Sequence, residues 1–75
     1  MGDFDIEVDA RGLSCPIPVL KLSQELKKLE SGQVLFLRTT DPASQRDVNA
    51  YLHELPSTLV KHSIHDGVFH YYIQK

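Results

Sequence analysis

Cysteine occurs once in the 75 residues, at Cys15. One thiol cannot close an intramolecular disulfide, so the fold carries no covalent staple and any mixed-sulfur chemistry must involve a second molecule. No run approaches the ~20 apolar residues of a membrane span, and the opening MGDFDIEV lacks the basic and apolar regions of a signal peptide. From these absences the chain is expected in the cytoplasm, away from membranes. Cationic clusters are missing too. The formal net charge is −2 with the basic residues scattered, which argues against direct contact with RNA or DNA. There is no CxxC pair, no Ser-His-Asp constellation, no paired carboxylates in a recognisable pocket and no phosphate loop. Nor is there a repeat, linker or low-complexity segment, so residues 1–75 read as one domain with a core small enough that each apolar residue in a regular element matters.

What is present is ordinary for a globular protein, with 41% hydrophobic and 24% charged residues. Phe4, Ile6 and Val8 alternate with Asp3, Asp5, Glu7 and Asp9, the period of a half-buried strand with an acidic outer face, expected over residues 3–9. From Pro16 the period lengthens. Val19, Leu22, Leu26 and Leu29 fall three and four apart, which predicts an amphipathic helix ending near Glu30, where Ser31-Gly32 supplies the glycine favoured past a helix end. QVLFLRTT, residues 33–40, is the apolar and β-branched run of a strand interior to a sheet. Asp41-Pro42 then reads as an N-cap acceptor followed by proline at the first helical position, and Val48, Tyr51, Leu52 and Leu55 form the stripe of a second helix running to about Glu54. Pro56-Ser57 stops it.

Asp66-Gly67 is a two-residue hairpin signal. With those residues as the loop, Ile64 opposes Phe69, His62 opposes Tyr71 and Val60 opposes Ile73 on one buried face. Leu59, Lys61, Ser63, His65, Val68, His70, Tyr72 and Gln74 fall on the other, mostly polar face. The order is therefore βαβαββ. A right-handed crossover makes the first two strands parallel, and the wet face forces both helices onto the opposite one. The expected fold is an α+β two-layer sandwich: a mixed four-stranded sheet with two helices packed on one face.

Cys15 stands at the corner between the first strand and the first helix. With Pro16 as the first helical residue, Cys15 becomes the N-cap, where the positive end of the helix dipole lowers a thiol pKa. Pro16 and Pro18 have no N–H, so among the first three helical positions only Ile17 keeps a donor for the sulfur. The thiol is thus moderately activated, which suits attack, because nucleophilicity falls as pKa falls. The prolines stiffen the corner, Gly12 permits a sharp approach from the strand, and Arg11 is near enough in sequence to add positive potential. A lone cysteine in a small domain is more often an inert core residue. Cys15, however, lies outside the apolar stripe of its helix and beside Ser14 and Pro16, a poor place for one.

The stretch Asp9-Ala10-Arg11-Gly12-Leu13-Ser14-Cys15-Pro16-Ile17-Pro18 resembles the CPxP motif of the TusA (SirA-like) sulfur-carrier family. Gly32, Asp41-Pro42-Ala43, Arg46-Asp47, Asp66-Gly67 and the closing Tyr72-Ile73-Gln74-Lys75 are similar to the family pattern as well, so the resemblance covers nearly the whole chain. It implies a βαβαββ sandwich and a cysteine that carries sulfur as a persulfide. Carried over, Cys15 accepts and donates sulfane sulfur, with Gly12, Pro16 and Pro18 shaping its corner. It implies a cysteine desulfurase or other persulfide donor, a downstream acceptor protein, and a relay ending in 2-thiolation of the tRNA wobble uridine. Relatives serve sulfur oxidation, cofactor assembly or selenium metabolism. Position 17, often charged and frequently Glu in the family, is Ile17 here, and Asn49 stands where a proline is common. Arg11, Ile17, Lys21 and Arg46 are the residues expected to contact partners. No cofactor and no metal is expected, and the chain is expected to act as a monomer.

Two other classes compete. A thiol peroxidase or oxidoreductase would need an external thiol at every turnover, since no resolving cysteine exists. A binding or regulatory module would leave the thiol incidental and use the polar sheet face with His65, His70 and Tyr72. The four histidines do not favour a metal. His62 and His65 point to opposite faces, and His65 with His70 make two ligands without a third. Asp47 suits the start of the second helix as a dipole-stabilising charge.

Overall fold

In the computed structural model, which describes residues 4–14, 16–54 and 57–75, six elements follow in the expected order. They are β1 (Ile6–Ala10), α1 (Ile17–Leu26), β2 (Val34–Thr39), α2 (Ala43–His53), β3 (Thr58–His65) and β4 (Val68–Gln74). The sheet order is β1-β2-β4-β3, with β1 and β2 parallel and the other pairs antiparallel. β2 carries the most continuous apolar run and lies inside the sheet, with Leu35, Leu37 and Thr39 fully buried. On that face Val8, Ala10, Leu35, Leu37, Tyr71 and Ile73 meet Leu22, Leu26 and Leu29 and, from α2, Val48 and Leu52 in one core. Both helices therefore cover one face, as the alternation requires.

Three expectations about the sheet are corrected. β1 begins at Ile6, and Phe4 leaves the Ile6–Val8 alternation. Val34 N–H donates to the Asp5 carboxylate and Asp5 N–H to the Val34 carbonyl; the chain bends at Asp5. Phe4 instead packs on the outer face against Phe36, with ring centroids 5.2 Å apart. Val60 does not oppose Ile73. A bulge between Leu59 and Lys61 pairs Leu59 with Ile73, so Leu59 packs against the core while Val60 is exposed. The extra residue shifts every position on its N-terminal side by one, which two-residue periodicity cannot reveal. Thirdly, β3 is an edge strand. His62 and Ile64 oppose Tyr71 and Phe69 as expected, yet both are exposed, with His62 stacked on the Tyr71 ring at 4.8 Å.

The uncovered face is less polar than its composition suggests. Phe36 is buried between Phe4 and Tyr72, stacking on Tyr72 at 4.6 Å. The Arg38 guanidinium lies over Phe36 and the Lys61 ammonium over Tyr72. The aromatic rings thus shield one another and are roofed by the charged ends of two long side chains.

α1 ends at Leu26, four residues short of the expected Glu30, and continues as turns through Leu29. Lys75 closes this end, its ammonium donating to the Leu29 carbonyl at 2.7 Å and its backbone exchanging hydrogen bonds with Gly32 and Gln33. At the hairpin, Asp66 (φ 50°) and Gly67 (φ 79°) take the left-handed angles of a type I′ turn. Leu55 and Pro56, expected at the end of the second helix, lie outside the described residues.

Candidate functional site

Because β1 and β2 are parallel, their carboxyl ends lie at one edge of the sandwich, and the segments leading into α1 and α2 both start there. At this edge the first segment turns sharply. Gly12 has φ +80°, and Leu13 N–H returns to the Ala10 carbonyl at 3.2 Å while its side chain packs against the core. The expectation that Gly12 makes the approach from the strand agrees with this backbone.

The helix start differs from expectation by one residue. Pro16 is the N-cap of α1, with φ −98° and ψ 15°, and Ile17 is the first helical residue. The cause is a turn closed by Ile17 N–H on the Ser14 carbonyl at 2.9 Å, so the bond from Leu20 N–H to the Pro16 carbonyl follows it. Cys15 is therefore not the N-cap, and its placement lies outside the described residues. The count of donors also changes. Ile17 N–H, the one expected to reach the sulfur, is engaged by Ser14. Pro18, at the second helical position, is buried, whereas Ser14, Pro16 and Ile17 are exposed. The two prolines thus divide the work, Pro18 anchoring the corner in the core and Pro16 facing solvent.

Arg11 is committed elsewhere. Its Nε and Nη2 donate to the two carboxylate oxygens of Asp9 at 2.9 and 2.8 Å, and its backbone N–H also donates to Asp9. This fork holds the Asp9 carboxyl well below the usual carboxylate range and raises the guanidinium pKa. Asp9 thereby balances the charge that Arg11 would bring to the corner. Lys21, exposed one turn along α1, lines a cleft of about 310 Å³ with Glu7, Asp9 and Gln24. Arg46, exposed on α2, lines a different cleft of about 490 Å³ with Pro42, Asp47 and Asn49. Gly12, Pro16, Ile17 and Pro18 thus form one corner, while Lys21 and Arg46 stand apart in separate clefts.

Two features escaped the sequence. Leu20 is 50% exposed beside Ile17 at 40%, which gives the solvent face of α1 an apolar start. Its signal was available, since Leu20 falls outside the stripe of Val19, Leu22, Leu26 and Leu29. Thr40 gave no such signal. Its hydroxyl accepts the Gly12 N–H at 2.8 Å across 28 residues of sequence. Next to it, Thr39 Oγ1 and Ser44 Oγ share a buried bond at 2.5 Å, and the Asp41 carbonyl accepts from Ser44 Oγ. The Asp41 carboxylate accepts from Ala43 N–H at 3.1 Å, but the N-cap is Pro42 (φ −57°, ψ −30°) and Ala43 the first helical residue, so Asp41 and Pro42 each stand one position earlier than expected.

Among the described residues, no group of three or more His, Cys, Asp or Glu is placed to hold a metal. His65 and His70 share the outer face with ring centroids 4.9 Å apart, and burial, followed by the neighbouring His65 and Arg38 charges, lowers the His70 pKa. No helix among the described residues is long and apolar enough to cross a membrane.

A family model described as Sulfurtransferase TusA matches residues 6–75. The sulfur carrier protein TusA of Allochromatium vinosum is 41% identical over 75 residues, spanning 100% of this chain and 99% of that protein. The sulfur carrier protein TusA of Pseudomonas syringae pv. syringae is 39% identical over 71 residues, 95% of this chain and 84% of the relative. Among solved structures, a SirA-like protein from Desulfitobacterium hafniense superposes with a TM-score of 0.83 at 26% identity, covering 93% of this chain and 96% of the other.

Proposed function

Since the chain belongs to the TusA family of sulfur carriers, we propose that Cys15 carries sulfane sulfur as a persulfide and relays it between proteins, in a pathway that ends in 2-thiouridine in tRNA. The observation that carries this reading is the corner itself. Ile17 N–H closes a turn on the Ser14 carbonyl and Pro18 is buried, while Ser14 and Pro16, the sequence neighbours of the single cysteine, are both exposed.

The chemistry balances without metal, cofactor or general base. The Cys15 thiolate attacks the outer sulfur of a donor persulfide, an S–S bond forms on Cys15 and the donor's S–S bond breaks, releasing the donor as its thiolate. An acceptor thiolate then attacks the outer sulfur of the Cys15 persulfide, and the Cys15 thiolate leaves. One neutral sulfur atom has moved, with no net oxidation. Ile17 and Leu20, exposed beside the corner, supply the apolar contact a partner needs to bring its sulfur within reach, and Lys21 and Arg46 stand farther out to steer acidic surfaces. In this reading the chain acts as a cytoplasmic monomer between a desulfurase or other persulfide donor and an acceptor protein, in contact with neither nucleic acid nor membrane.

The test is direct. After incubation with a cysteine desulfurase and cysteine, intact-mass and peptide spectra should show a one-sulfur adduct on Cys15 that a thiol reductant removes and that Cys15→Ser lacks. An unmodified thiol across several desulfurases would overturn the reading. In a deletion strain, wobble-uridine thiolation should fall and recover with the wild-type gene but not with Cys15→Ser. Normal thiolation alongside a loaded Cys15 would reassign the sulfur to oxidation, cofactor assembly or selenium metabolism.

A further inference from the structure

The segment that delivers Cys15 is short and carries little regular bonding of its own. Leu13 N–H reaches back to the Ala10 carbonyl, and the Ser14 carbonyl accepts from Ile17 N–H. Among the described residues, the hydrogen bond that ties Arg11–Ser14 to a distant part of the chain is the one from Gly12 N–H to Thr40 Oγ1, at 2.8 Å. Thr40 is itself well fixed. Its predecessor Thr39 is fully buried at the end of β2 and bonded to Ser44, and its successor Asp41 holds the start of α2 through Ala43 and Ser44. A hydroxyl seated between two anchored neighbours is a stiff acceptor, and its partner is the residue whose left-handed φ of +80° sets the direction of the corner.

We propose that Thr40 is a positioning residue for the Cys15 thiol: its hydroxyl locks Gly12 and thereby orients the strand-to-helix corner from which sulfur is transferred. The inference rests on the proposed carrier role for its meaning but not for its first test. Thr40 is exposed, so Thr40→Val preserves shape and helix entry while removing the acceptor, and Thr40→Ser keeps the hydroxyl.

In Thr40→Val the Gly12 amide should exchange with solvent roughly tenfold faster than in the parent, as expected for loss of one hydrogen bond. Alkylation of Cys15 by iodoacetamide, followed across pH, should change by threefold or more or shift its midpoint, and sulfur transfer to an acceptor thiol should fall by a similar factor. Thr40→Ser should restore all three, and thermal melts should show each variant folded. If Thr40→Val does not fold, Thr40→Ala takes its place. Unchanged Gly12 exchange overturns the proposal, as does faster exchange with alkylation and transfer both within twofold of the parent, which would make the bond merely structural. If the parent takes up no sulfur from any donor, the carrier reading fails, while exchange and alkylation still decide the role of Thr40.

Discussion

His70 shows how a single side chain inherits its chemistry from its neighbours. It stands on the open face, edge-on to the Phe36 ring at 5.3 Å and beside His65. Desolvation, then the His65 and Arg38 charges, favour the neutral imidazole and lower its pKa from 6.5. A histidine whose folded pKa is depressed binds fewer protons folded than unfolded at pH values between the two. Its contribution is therefore fully present above about pH 6.5 and is lost as pH falls from there toward the folded pKa. Urea midpoints should decline over that window in the parent and decline less in His70→Gln. Equal slopes in the two proteins would show that His70 does not titrate abnormally. The Arg11–Asp9 fork teaches the converse lesson at the same scale. Arg11, four residues before Cys15 in sequence, turns its guanidinium back onto the Asp9 carboxylate of β1, so its charge is balanced on its own strand.

Among the elements, the β3–β4 hairpin was legible in most detail, because its turn chemistry and its alternation agree. Asp66 and Gly67 require positive φ, which Asp tolerates and Gly adopts freely. A methyl group at Gly67 would meet no atom within 4 Å, so Gly67→Ala should cost only backbone energy, about 1–2 kcal/mol. For a domain of this size, 1 kcal/mol lowers Tm by about 4–8 °C. Gly67→Asn should lose less than Gly67→Ala, and a Tm unchanged in Gly67→Ala would refute the conformational account. The same hairpin contains the misjudged register at Val60, since the bulge at Leu59/Lys61 is an event between two strands and not a property of either. The start of α1 shows a similar limit. Proline told that a helix begins near Pro16, but the Ser14–Ile17 turn decided that Pro16 caps it and that Ile17 N–H is already engaged.

At the scale of the whole molecule, one core supports everything, and it is small. At roughly 0.05–0.15 kcal/mol per residue, a chain of this length has about 4–11 kcal/mol of stability. Leu22 is fully buried at the centre of the α1 stripe, so Leu22→Ala should lose about 2–5 kcal/mol, close to half of the total. A urea melt should show a midpoint lowered accordingly, and a loss below about 1 kcal/mol would mean that α1 is not packed as described.

The amino-acid sequence by itself determined the element order, the parallel pairing of β1 with β2, the buried faces of both helices and the sharp turn at Gly12. Each of these follows from local periodicity, from proline and glycine chemistry and from the handedness of a crossover, all of which act between residues close together in the chain. Only the tertiary structure decided that Phe4 joins the aromatic band with Phe36 and Tyr72, that β3 is an edge whose Val60 and Ile64 stay exposed, and that Thr40 holds Gly12. Those contacts join segments far apart in sequence, and their existence depends on which strand becomes an edge and which loop meets which helix start, quantities that no local pattern encodes.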